Sequence, residues 1–318
     1  MTLEVSMTAV QSLPNQTIEA VERSTRWRLV LLSALGGLIL AMVWSPRLVD
    51  TVIGGHIADP VVGGDAKTVS ITGGAMALLF AFITGVAGSF TACNIAVFGA
   101  LAPMSAQSSF GRKVTGLLKP IGWLTLGAVV VAGLYGAIGV YIGESIPQLS
   151  NATVGDHNLR VRSIQSGVVF TIIGIIMVWH GLAALRLVRS PMSNLFQRRP
   201  AAELVFMGGL VGAFLIGRPF GMFRHLYEYA AKTDNPVLGF ATFALQSVGN
   251  IVVVSLLFVG ISLATRGRFQ RWLTASPSRL ARITAVSFII AGAFFIAYWG
   301  VKLGARAGLL WWPTMPYS

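Results

Sequence analysis

The sequence predicts an all-α integral membrane protein with about seven transmembrane helices, and three observations carry that reading. Mean hydropathy is +0.72. Only 11% of the residues are charged against 54% apolar, too little polar surface to coat a soluble globule. Several apolar runs reach the roughly 20 residues that a helix needs to cross a hydrocarbon core.

The net charge of +13 falls mainly in short loops between the apolar runs, where the positive-inside rule places Lys and Arg. No basic stripe interleaved with aromatics occurs, so nucleic acid is not an expected partner; the lipid bilayer is. Cys93 is the only cysteine. That rules out an internal disulfide framework and a cysteine-based zinc site within one chain.

Taken in order, residues 1–26 form a polar segment carrying Glu4, Glu19 and Glu22, without the basic start of a secretory signal peptide. The first apolar run, 27–45, therefore reads as a retained leading helix. Further runs fall at about 70–104, 117–143, 165–187, 202–222, 236–264 and 283–304. Residues 70–104 contain Gly85, Gly88 and Pro103, and 202–222 contain Gly208, Gly209, Gly212, Gly217 and Pro219. Both read as broken or bent helices.

Loop charges set the orientation. Arg112, Lys113 and Lys119, then Arg186, Arg189, Arg198 and Arg199, then Arg266, Arg268, Arg271, Arg279 and Arg282 lie on one side, with only Glu203 at their edge. The alternate loops are mixed, with Asp50, Asp59, Asp65 and Lys67, then Glu144, Asp156, Arg160 and Arg162, then Arg224, Glu228, Lys232 and Asp234. This predicts a multi-pass protein of a bacterial-type inner (plasma) membrane, with a cytoplasmic N-terminus and an external C-terminal tail, 305–318. Thr265 to Arg282, with Phe269, Trp272 and Leu273, suits either a short helix at the cytoplasmic lipid surface or a basic loop held by headgroups. Trp311, Trp312 and Tyr317 read as an external interfacial belt.

Apart from the leading helix, the six remaining runs divide into two groups of three, 70–187 and 202–304. Each opens with a long, Gly-rich, interrupted helix. Groups of three place the second upside down relative to the first, and inverted repeats with matching broken helices point to a transfer site at the bilayer midplane. The other reading is that Gly and Pro are simply common in membrane helices.

The first broken segment reads Gly85-Val-Ala-Gly88-Ser-Phe-Thr-Ala-Cys93-Asn94, and its counterpart Gly217-Arg218-Pro219-Phe220-Gly221-Met222. After it come a polar turn and Gly239-x-x-x-Phe243-Ala-Leu-Gln-Ser247-Val-Gly249-Asn250. Over about 70–304 the chain resembles the CcdA proteins of cytochrome c biogenesis and the membrane domain of DsbD. In that family each three-helix repeat opens with a Gly-rich segment ending in Pro-Cys, and the two cysteines carry reducing equivalents across the membrane. The resemblance implies a thiol-disulfide transfer role and places Cys93 at the first reactive position, with Ala92 before it in place of proline. Phe220 stands where the second cysteine would follow Pro219. A dithiol relay needs two sulfurs, because a mixed disulfide must be resolved by a second thiol; one chain cannot complete that cycle.

The candidate residues each have two readings. Cys93 is a single reactive thiol or a buried small hydrophobe, and Asn94 is a polar contact at depth or a helix-to-helix hydrogen bond. Arg218, next to Pro219 in an open stretch of helix, meets an anion or substrate, or else snorkels or pairs with Glu228 or Asp234. Gln246, Ser247 and Asn250 lie within about a helical turn, lining a polar path with Arg218 or holding neighbouring helices. His225 and Glu228 share a helix face and read best as a solvated cap, since two residues are not a metal site. His180 relays a proton or bonds a neighbouring helix. His56 and His157 sit in loops and form no motif. No phosphate loop, nucleophile elbow, zinc-protease helix or haem-attachment motif occurs, and the sequence names no cofactor, no metal site and no enzyme class.

Three functions follow as expectations. The first is a divergent CcdA-like redox or cytochrome-maturation accessory in which Cys93 acts alone, with another chain, or on an external thiol protein. The second is a transporter of a small solute or ion. The third is a non-catalytic subunit bound to other membrane proteins.

Overall fold

The computed structural model describes residues 5–45, 52–90, 115–218, 221–265 and 276–311, with Arg268 and Trp272 between the last two stretches. Among the described residues the chain is all-helical apart from one short hairpin. Its helices are α1 (Val5–Val43), α2 (Gly54–Val62), α3 (Gly73–Ala87), α4 (Thr115–Ile142), α5 (Val161–Ala184), α6 (Ser193–Arg198), α7 (Pro200–Gly217), α8 (Gly221–Ala231), α9 (Pro236–Ala264), α10 (Pro277–Phe295) and α11 (Lys302–Arg306). A 3₁₀ turn, Gly88–Phe90, continues α3, and a π turn, Ile296–Val301, joins α10 to α11. Strands β1 (Thr153–Val154) and β2 (Leu159–Arg160) pair antiparallel between α4 and α5.

Among the described residues, five segments are long and apolar enough to cross a membrane: Ser24–Val43, Lys119–Ser145, Val161–Ala184, Pro236–Leu257 and Ser278–Arg306. Counting the bent pair α7 and α8 as one span raises the number to six. The protein is thus a multi-pass, all-α membrane protein. The run expected at 70–104 contributes α3, which at 15 residues is shorter than one crossing; residues 91–114 lie outside the described part. Outward-facing Ile138, Ile172, Ile175 and Leu256 are each more than half exposed, as befits side chains whose solvent is lipid.

Local chemistry sets the ends of the helices. Asn235 caps α9, its Oδ1 accepting hydrogen bonds from the amides of Val237 and Leu238, both at 3.1 Å. Pro236 follows at the first helical position, where its missing N–H is not needed. Pro200 opens α7 in the same way, and Glu203 adds a carboxylate to its first turn, favourable at the positive end of the helix dipole.

Glycine brings the helices together. Between α4 and α7, a Cβ on Gly208 would lie 1.8 Å from the Leu124 carbonyl oxygen, and one on Gly127 2.0 Å from that of Val205. Between α3 and α9, a Cβ on Gly85 would lie 2.1 Å from the Gln246 carbonyl, and one on Gly249 2.3 Å from that of Phe82. Such backbone-to-backbone approach replaces, between membrane helices, the hydrophobic drive that lipid cannot supply. α5 runs antiparallel to α10 and its continuation into α11, with Gly167 against Leu303, Gly174 against Gly292 and Gly181 against Ala285. The start of α9 likewise meets the end of α4, at Gly239 and Gly136. α3 and α9 run parallel, Gly74 touching Leu238 and Gly85 touching Gln246.

An aromatic core lies behind these contacts. Phe170 of α5 stacks on Phe295 at 5.2 Å and on Trp299 at 4.8 Å, and Phe214 packs against both Phe170 and Phe295. α1 packs chiefly on α10 and its continuation, where Gly37 meets the Ile290 carbonyl.

Candidate functional site

Helix α7 ends at Gly217, and Arg218 is extended, with φ −85° and ψ 111°. α8 leaves at 87° to α7. A break of this kind strips carbonyls of their intrahelical donors, and in a membrane each must find another. Two glutamines supply them. Gln165 Nε2 on α5 donates to the Ile216 carbonyl at 2.8 Å, and Gln148 Nε2, in the turn after α4, donates to the Arg218 carbonyl at 2.9 Å. Tyr135 of α4 ties the pair together: its hydroxyl donates to Gln148 Oε1 and accepts from Gln165 Nε2 at 3.2 Å. Tyr227 of α8 donates to the Tyr135 carbonyl at 3.3 Å. The break is therefore held from α4, α5 and α8 together.

The Arg218 side chain turns inward, to 5% exposure, away from the snorkelling geometry open to it on sequence grounds. Its Nη2 donates to the Gly88 carbonyl at 2.9 Å, and its guanidinium lies 4.4 Å from the centre of the Phe223 ring. A Cβ on Gly88 would sit 2.8 Å from Arg218 Nη1, so glycine is what lets the cation approach this backbone. Glu228 instead engages Arg224, with Arg224 Nε donating to Glu228 Oε1 at 2.8 Å.

Opposite Arg218, α3 and α9 present their polar side chains. Ser89 Oγ lies 3.1 Å from the Gly85 carbonyl and 3.0 Å from that of Asn250. Thr84 Oγ1 donates to the Phe80 carbonyl at 2.9 Å and accepts from Gln246 Nε2 at 3.1 Å. Gln246 is fully buried, and its Oε1 has no hydrogen-bond partner among the described residues. Ser247 Oγ donates to the Ala244 carbonyl.

Arg218, Gln246, Ser247 and Asn250 line one small cavity together with Gly85 and Phe223, and Val211, Phe214 and Leu215 complete its apolar wall. The space accommodates about one water molecule. Gln246 lies ten residues after Pro236 and eleven before Leu257, at the middle of the α9 span. Four of the seven site residues expected from sequence thus meet at one place. Cys93, Asn94 and Pro219 lie outside the described residues, as does Phe220.

Sequence reasoning passed over Gln148, Gln165, Tyr135, Ser89 and Thr84. Ser89 had a signal, standing inside the Gly-rich segment three residues after Val86. The glutamines had none, since they occupy a loop and a helix start where polar residues are ordinary.

Two histidines have local partners. His225 Nε2 is 2.6 Å from the Val69 carbonyl, and its ring stands edge-on to Phe80. His180 Nε2 is 3.3 Å from Glu203 Oε1, joining α5 to the start of α7. Among the described residues, no group of three or more His, Cys, Asp or Glu side chains is placed to hold a metal ion. Comparison of the chain with protein-family models, with curated proteins and with solved structures gives no match.

Proposed function

We propose that this chain is a divergent CcdA-like membrane protein that passes a small polar solute or ion through the Arg218–Gln246–Asn250 cavity. Its architecture on this reading is a leading helix, α1, and two inverted three-helix repeats, with α3, α4 and α5 answering to α7, α9 and α10. The N-terminus is cytoplasmic and the C-terminus external, as the loop charges ask. In support, exchanging those helices largely preserves the packing: α4 on α7 becomes α9 on α3, while α4 on α9 and α5 on α10 map onto themselves with reversed direction.

The observation that carries the function is the buried arginine at a helix break, facing polar groups in the middle of the α9 span. A charge at such depth is costly, and intramembrane ionisable residues mark solute and ion paths. Broken helices are where such paths are built. The experiment is reconstitution of the purified protein in vesicles, with flux measured for small inorganic anions, cations and neutral solutes. Saturable flux of one class, lost in Arg218→Gln, is the expected result; no flux of any class from well-folded protein overturns the reading.

One observation favours the single-thiol redox reading as the alternative. In the sequence, Cys93 follows by three residues the 3₁₀ turn whose Gly88 carbonyl meets Arg218. Cys93→Ser then abolishes activity, and a mixed disulfide with a partner is trapped on non-reducing gels. Retained activity in both Cys93→Ser and Arg218→Gln points instead to the subunit role.

A further inference from the structure

Helices α1, α5 and α10 meet at one end of the bundle in a small apolar cluster built on Val30, Leu185, Ala285 and Ile289. Leu29, Ala34 and Leu182 pack around it and stay only partly buried. Just beyond this cluster the chain turns basic. Arg26 precedes Val30 by one helical turn, Arg186 follows Leu185, and Arg282 stands three residues before Ala285, on the face of α10 that carries Ala285 and Ile289. Arg26 Nη1 donates to the Leu185 carbonyl at 3.3 Å and so fixes α1 against the end of α5. Arg186 and Arg282 are exposed. The antiparallel register that sets Gly174 against Gly292 and Gly181 against Ala285 brings Arg186 level with the turn between Arg279 and Arg282.

Arg186 occupies a position that suits another residue better. α5 ends in a Schellman motif, with Leu187 N donating to the Leu182 carbonyl at 3.0 Å and Arg186 N to that of Ala183 at 2.9 Å. The motif holds Arg186 in the left-handed region, at φ 57°, where glycine is the residue of least strain. Helix termination alone would favour glycine, so the guanidinium answers to something outside the turn.

Tryptophans mark the depth of this end. Trp27, Trp179 and Trp272 are each about half exposed, and the Arg279 guanidinium lies 4.8 Å from the centre of the Trp272 ring while its Nη1 donates to the Trp272 carbonyl at 2.8 Å. Indole rings settle in the headgroup layer, so the arginines beside them stand where lipid phosphates are. The charge balance agrees, and it does not depend on any one ion pair. The segments adjoining this end, residues 1–28, 105–122, 185–203 and 265–283, hold fifteen Lys and Arg against four Glu, so that pairing every glutamate still leaves an excess of eleven positive charges.

We propose that the junction of α5 and α10 binds the headgroup of an anionic phospholipid, its phosphate between Arg186 and Arg282 and its acyl chains along Leu29, Ala34 and Leu182. A phosphodiester offers two free oxygens and one negative charge, which suits a pair of guanidinium forks. A zwitterionic headgroup would bring a cation of its own into basic surroundings. The cavity beside Arg218 is walled by other helices, and this inference does not rest on the solute-path reading.

Native mass spectrometry of the purified full-length protein in nonionic detergent provides the test, with dioleoyl phosphatidylglycerol and dioleoyl phosphatidylcholine as probes. Each arginine near an anionic headgroup is worth about a factor of five, so phosphatidylglycerol is expected to bind roughly 25 times more tightly. Arg186→Gln with Arg282→Gln removes that preference. Lys119→Gln with Arg199→Gln, which takes the same charge from the same end on α4 and at the start of α7, retains it. Arg186→Gly is expected to unfold at the same temperature as the wild type or higher, since it relieves the backbone, and yet to bind phosphatidylglycerol about fivefold more weakly; this separates loss of the ligand from loss of the fold. Equal binding of the two lipids by wild type overturns the inference. So does an equal loss in the two double variants, which would mean that the attraction is spread over the whole basic end, and so does displacement of phosphatidylglycerol by millimolar inorganic phosphate, which would mean a site for the free anion.

Discussion

A single charged side chain organises this molecule. Arg218 is buried against the Gly88 carbonyl and the Phe223 face, and its own carbonyl is held by Gln148, so backbone and side chain are anchored on different helices. Gln148→Leu leaves both the Arg218 carbonyl and the Tyr135 hydroxyl without their partner. Each buried orphan costs about 1–3 kcal/mol; thermal unfolding in detergent is expected to show a clearly lowered midpoint, with Gln148→Glu partly sparing it by keeping an acceptor for Tyr135. Arg218, Gln246, Ser247 and Asn250 were legible in the sequence because polar atoms inside apolar runs are expensive and therefore conspicuous. Gln148 and Gln165 were not. They reach the site from positions where water would satisfy any polar residue, and only the fold shows that they face inward.

At the scale of the helix, glycine and proline did different work. Pro219 after Gly217 announced the break between α7 and α8, though not its 87° angle, which the clamp at Ile216 and Arg218 fixes. The glycines of α7 were read as signs of bending, whereas Gly208 and Gly212 are points of contact with the α4 backbone. A contact surface and a flexible joint use the same residue, and one sequence does not separate them. Gly208→Ala places a methyl group 1.8 Å from the Leu124 carbonyl, so α4 and α7 must part, at a cost of about 1–3 kcal/mol. Gly122→Ala, on the same α4 with nothing within 4 Å, is expected to leave stability unchanged or raise it by up to about 1 kcal/mol; comparing the two unfolding midpoints checks the assignment. Helix α2, with Pro60 inside it, and the β1–β2 hairpin were both invisible at this level, being short elements in loops read only for their charge. The hairpin turns on Gly155 and Asn158, both at positive φ, a conformation glycine and asparagine adopt most readily.

For the whole molecule, bilayer residence was the easiest property to read, since hydropathy alone excludes water as the principal solvent. The partnering of helices was not, because lipid-facing and helix-facing positions are equally apolar here and periodicity cannot separate them. The antiparallel pairing of α5 with the end of the α10 span offers a direct check. A Cβ on Gly300 would lie 3.5 Å from the Thr171 Cβ, within the range that a disulfide bridges. Thr171→Cys with Gly300→Cys, in a Cys93→Ser background, is expected to oxidise to a faster-migrating band in unreduced electrophoresis, and failure to close removes that register.

The peripheral seat of α1 has a mechanical meaning. Only 22% of its apolar window is buried, nearly all the grip coming from α10 and its continuation, while the cavity is walled by α3, α7, α8 and α9. On the solute-path proposal, the first helix is thus ballast on the α5–α10 pair, set apart from the walls through which an occupant would pass.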